Sequence, residues 1–192
     1  MDTGSNLADQ LRNRGVLLAA DACLPSVATI VAGEPIRGSW WAHPKAHAIF
    51  AATSALARHP DAMALLLVSR KVTFVHRRLW PAILTIGLAR ERWQRKGLPA
   101  GARALLKRVE KAGEVQASGD AVRELERRLL AKSDQVHTEK GSHAKHVESW
   151  TSWAKRANVT PLGDLEAARQ QIEDAVAALA PGARPRLPWN MR

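Results

Sequence analysis

The chain has 192 residues, 46% of them hydrophobic, with a formal net charge of +11 and a pI near 10.8. That length suits one domain, or one domain with short appendages, and it buries a core without covalent staples. Its single cysteine, Cys23, excludes an internal disulfide and a multi-cysteine zinc site.

In chain order, Leu7, Leu11, Val16, Leu17 and Ala20 recur at helical spacing, so Leu7–Ala20 is predicted to be a helix weakened by Gly15. Cys23–Val31 reads either as a helix beginning at Ser26 or as a short strand. Pro44 suits the first turn of a helix over Lys45–Arg58, with Ile49, Phe50, Ala52, Leu56 and Ala57 apolar. Met63–Val68 and Val72–His76 flank Ser69-Arg70-Lys71 and predict an antiparallel hairpin. Pro81 opens a helix to about Gln94, with Leu84, Leu88 and Trp93 facing inward. A further helix covers Ala100–Ala112 and stops at Gly113. Glu114–Ala117 is a short extended piece.

Asp120 is expected to cap the next helix, on which Val122, Leu125 and Leu129 share a face and Arg123, Arg127 and Lys132 take others. Gln135–Glu139 and Ser142–Val147 flank Lys140-Gly141, a plausible turn for a small β-ribbon. Glu148–Ala157 and Leu165–Ala180 are predicted helices. The proline-bearing tail is expected to lie over the surface, with Trp189 as an anchor. No internal repeat is visible.

The expected fold is α+β, mainly helical, with one β-hairpin and a winged-helix-like C-terminal half. Three segments are expected: 1–96, a helical part with the hairpin; 97–160, a basic module; and 161–192, the last helix and tail. In the order helix, short strand, helix, ribbon, residues 99–150 resemble winged helix-turn-helix modules, which implies a DNA-binding surface.

The positive charge is uneven. Residues 61–160 hold 20 Lys/Arg against 10 Asp/Glu, whereas 1–60 hold five against four and 161–192 four against four. A localised excess of this kind suits phosphate. The candidate nucleic-acid contacts are Arg70, Lys71, Arg77 and Arg78 around the hairpin and Arg123 and Arg127 on the helix after Asp120. Lys140, His143, Lys145, Lys155 and Arg156 extend the set around the ribbon. Trp40 and Trp41 are candidates for stacking on a base or a partner, with one of the pair expected in the core.

The expected partner is nucleic acid, DNA first. The alternatives are an enzyme repairing damaged or modified bases, and an interaction protein for RNA or an acidic partner. For the enzyme, Gln116, Asp134, His137 and Glu139 are the available polar groups, and His137 with Glu139 is the candidate catalytic pair. Val115-Gln116-Ala117 resembles part of the Gln-containing active-site stretch of winged-helix DNA glycosylases that remove crosslinked bases. The second polar residue of that stretch is Ser118 here. No cofactor is expected. The His43/His47 and His143/His146 pairs lack a recognised metal-site spacing, so no metal is expected either. The longest apolar run, Leu79–Ala89, is interrupted by Trp80-Pro81, so no membrane partner is expected. With one cysteine and no leader pattern, the expected location is the cytoplasm.

Overall fold

The structure, a computed structural model, describes residues 3–137, 143–179 and 186–190. The chain forms two compact units, one of Met1–Trp80 with Gln171–Arg192 and one of Pro81–Gln170.

The first unit opens with α1, Thr3–Arg14, which turns Leu7 and Leu11 into the core. The predicted helix to Ala20 ends early, at Gly15. Its φ of +83° suits glycine, and a Cβ there would lie 2.8 Å from the Arg78 guanidinium. Val16–Leu18 then form strand β1, buried along its whole length. Ser26 caps α2, Val27–Ala32. Its hydroxyl accepts from the Thr29 N–H at 3.2 Å, and the Thr29 hydroxyl accepts from the Ser26 N–H at 3.1 Å. This reciprocal box selects helix over strand.

Helix α3, Ala46–Ala57, buries Ile49 and Leu56. Strands β2, Ala62–Leu66, and β3, Val72–His76, form the predicted hairpin. β3 is central, since β1 adds to its other edge with Val16 opposite Val75 and Leu18 opposite Thr73. Leu7, Leu11, Leu17, Val27, Leu56 and Phe74 make one continuous core.

The second unit begins inside α4, Trp80–Leu88, followed by α5, Arg92–Arg95. One helix to Gln94 was the expectation. Arg90, at φ +51°, breaks it, and Glu91 caps the second piece. The inward positions also differ from the prediction. Leu88 is 37% exposed, whereas Gln94 is fully buried. The Gln94 amide donates to the carbonyls of Ile86, Arg128 and Leu129 at 3.3, 3.1 and 3.4 Å, which satisfies the buried group.

Helix α6, Ala100–Ala112, buries Ala102, Leu105 and Val109. Strand β4, Glu114–Ala117, leads to α7, Asp120–Arg127. Gly119 takes the cap position, so Asp120 sits in the first turn and is not the cap. Lys132–His137, β5, and His143–Glu148, β6, form the predicted ribbon, and β4 joins β6 as a third strand. Ser149 caps α8, Trp150–Ala157, by accepting from the Ser152 N–H at 3.1 Å. The fully buried Trp150 donates to the Leu129 carbonyl at 2.8 Å, and its indole fills the space that a Cβ at Gly87 would need.

The chain returns to the first unit within α9, Leu165–Ala177. In the tail Leu187 is buried, the Arg186 carbonyl accepts from the Ser69 N–H at 2.7 Å, and Trp189 donates to the Glu173 carboxylate at 2.7 Å.

The fold is therefore α+β, with two antiparallel three-stranded sheets ordered β1-β3-β2 and β4-β6-β5. Both units follow one plan. A helix and a strand precede one or more helices, a hairpin follows, and the first strand joins the last. The repeat is one of topology, which is why the sequence does not display it.

Candidate nucleic-acid interface

The helix expected to face nucleic acid, α7, largely neutralises itself. Arg123 pairs with Asp120 at 3.4 Å, Arg127 with Glu124 at 3.4 Å and Arg128 with Glu124 at 3.1 Å. Arg128 also donates to the carbonyls of Trp93, Gln94 and Lys96 at 3.4, 3.3 and 2.8 Å, a structural tie. Lys145 on β6 and the Ser133 hydroxyl both bond to Glu126 on the same helix.

At the ribbon, His137 and His143 are ladder partners, while Glu139 and Lys140 lie outside the described residues. The candidate pair His137/Glu139 is therefore not brought together by any described geometry. Two rows of polar residues cross this sheet in register instead: Gln116, His146 and Asp134, and next to them Glu114, Glu148 and Lys132.

Lys132, expected on an exposed helix face, is the first residue of β5 and only 4% exposed. Its ammonium bonds to the Asp134 carboxylate. Burial holds its pKa below the ordinary lysine range, against the pull of Asp134 and Glu148. Glu148 is buried and accepts both branches of the Arg156 guanidinium, at 3.2 and 2.7 Å. That hydrogen bond raises the pKa of Arg156. His146 meets Glu114 at 3.0 Å. Arg156 and Lys145 thus serve the fold, while Lys155 is exposed and meets no acid among the described residues.

The bases around the first hairpin are mostly engaged too. Lys71 pairs with Asp21 at 2.6 Å. Burial works to raise the Asp21 pKa, but the Lys71 ammonium and the N–H groups of Cys23 and Leu24 together lower it. Arg77 pairs with Asp61 at 3.2 Å, and Arg78 donates to the Asn13 carbonyl at 3.2 Å. Arg70, at φ +59°, stays exposed with no acid beside it among the described residues.

The largest unpaired group of cations lies elsewhere. Arg92, Arg95 and Lys96, then Arg103, Lys107, Arg108 and Lys111 on α6, are all exposed. None has an ion-pair partner among the described residues, and the one acid between 92 and 111, Glu110, is taken by Arg90 at 2.8 Å. Arg103, Lys107 and Lys111 recur at i, i+4, i+8. They form one stripe opposite Ala102, Leu105 and Val109. The signal in the sequence was a helix without Asp or Glu before Glu110. Its bases were not among the candidate contacts read from the sequence.

Trp40 and Trp41 form a second feature, in the first unit. Their rings stack with centroids 4.0 Å apart and planes 24° apart, and Trp41 meets Phe50 of α3 at 5.8 Å. Neither tryptophan is core. Trp40 is half-buried, Trp41 is 63% exposed and Phe50 49% exposed. No protein-family model, curated protein or solved structure matches the chain.

Proposed function

We propose that this protein binds DNA through phosphate contacts made by the second unit. The carrying observation is the unneutralised stripe Arg103, Lys107 and Lys111 of α6, extended by Arg108 and by Arg92, Arg95 and Lys96. Such cations draw phosphate and release counterions, a gain that exposed pairs like those on α7 cannot provide without first breaking. The strand plan supports a winged-helix-like reading in both units. Residues 3–76 have the fuller order, with two helices between the first strand and the hairpin. The first-unit helix that matches α6, α1, carries only Arg12 and Arg14, and Arg12 pairs with Asp9 at 3.1 Å, so phosphate affinity is assigned to the second unit.

The test is binding to labelled duplex across a salt series, with the products run on a denaturing gel. Wild type should weaken steeply with salt. The triple variant Arg103→Ala/Lys107→Ala/Lys111→Ala should lose about 2.7 from the slope of log affinity against log salt, roughly 0.9 per phosphate contact. An unchanged slope sinks the assignment to α6. Strand cleavage or alkali-labile sites would favour the base-repair alternative. They would direct mutagenesis to the row Gln116, His146 and Asp134.

A further inference from the structure

We infer that Trp41 and Phe50 are a stacking platform for an unpaired nucleobase, which gives the protein a single-strand binding mode separate from its phosphate stripe. The inference rests on the proposed nucleic-acid function and adds the substrate class. Trp41 and Phe50 are the two most exposed large hydrophobic side chains described, and they touch each other. Trp40, half-buried, stacks against Trp41 and holds that ring in a set orientation. Exposed rings already in place lose little side-chain freedom on binding, and every base offers them a π-face.

The charge around the platform selects the ligand. In the sequence no Asp or Glu occurs between Glu34 and Asp61. Of the bases there, Lys45 donates to the Ala32 carbonyl at 2.9 Å and His43 meets Glu34 at 3.2 Å, which leaves Arg37, His47 and Arg58 exposed without an acid among the described residues. A polyanion carrying flat rings matches this neighbourhood. Bases stacked within a duplex have no free face to offer, so the partner is a strand with unpaired bases.

The full-length chain is titrated with a labelled oligothymidine and with a blunt duplex of equal length, with tryptophan fluorescence as a second readout. The double variant Trp41→Ala/Phe50→Ala removes only exposed rings. It is expected to bind the oligothymidine about tenfold more weakly, with an unchanged salt slope and unchanged duplex affinity. Trp41→Phe should restore most of the loss. The α6 triple variant should weaken both probes.

Unaltered oligothymidine binding by the double variant, with duplex binding intact, overturns the platform alone. So does a wild-type dimer in sedimentation that the double variant lacks, since the rings would then serve a second copy. A wild type that binds neither probe at low salt overturns the nucleic-acid function, and the platform with it.

Discussion

The two units reach the same strand plan by different means. In the first, the central strand β3 is buried from Thr73 to His76, and Phe74 packs among leucines and Val27. Its two polar residues are satisfied locally: Thr73 donates to the Lys71 carbonyl and accepts from the Val68 N–H, and His76 accepts from the Arg78 N–H. In the second, the central strand β6 ends on a buried glutamate, Glu148, opposite a buried lysine, Lys132. One plan thus tolerates an apolar filling or an ionic one. The ionic one survives only because each charge has a partner, Lys132 on Asp134 of its own strand and Glu148 on Arg156 of α8. In the apolar unit Arg12, Lys71 and Arg77 sit on acids, while the ionic unit leaves a row of cations free on α6.

The largest expected effect sets the two fillings side by side. Phe74→Ala in the first unit and Trp150→Ala in the second should each cost ~4 kcal/mol in denaturant unfolding, since each empties a fully buried aromatic site. Glu148→Gln should cost ~3 kcal/mol by removing the buried carboxylate that holds Arg156 and the negative charge near the buried Lys132. A loss within error would show that the ionic filling contributes nothing. Gly87→Ala should cost ~2 kcal/mol, because the new Cβ would fall 2.5 Å from the Trp150 ring nitrogen and displace a ring held by the Leu129 carbonyl.

A smaller effect separates α6 from α7. Arg123→Ala/Arg127→Ala should leave duplex affinity within about twofold of wild type, since those guanidinium groups already sit on Asp120 and Glu124. A slope change as large as that of the α6 variant would reverse the assignment.

The smallest effect is in pH. Burial lowers the His76 pKa below 6.5; Asp61 opposes this, and Arg78, Arg12 and Arg77 reinforce it. The unfolded chain therefore takes up this proton first as pH falls. The stability tied to neutral His76 is fully present above about 6.5 and is lost as pH drops toward the folded value. His76→Asn should flatten that part of the stability–pH curve. A curve parallel to wild type would remove His76 as its cause.

Much of the framework was legible in the residues. Ala100–Ala112 is bounded as its apolar spacing and Gly113 require, and the hairpin and ribbon follow from β-branched runs around turn chemistry. Strand β1 was not legible, because Val16-Leu17-Leu18 continues the helical spacing of Leu7 and Leu11. Only the vacant edge of β3 makes it a strand. Gln94 was not legible either, since a buried amide is stable only beside carbonyls that arrive from residues 86, 128 and 129.

For the candidate interface, the sequence determined that positive charge gathers in the middle hundred residues and that Trp40-Trp41 is unusual. It did not separate free cations from spent ones. Lys132, Lys145 and Arg156 read like surface bases until β5, β6 and α8 bring Asp134, Glu126 and Glu148 to them. By itself the chain order determined an α+β protein with a basic centre, because local spacing and turn residues act within a few positions. Which charges remain for a partner was decided largely by tertiary structure, since Lys145 and Arg156 meet acids on other elements, whereas Lys132 and the α7 arginines pair within one strand or helix.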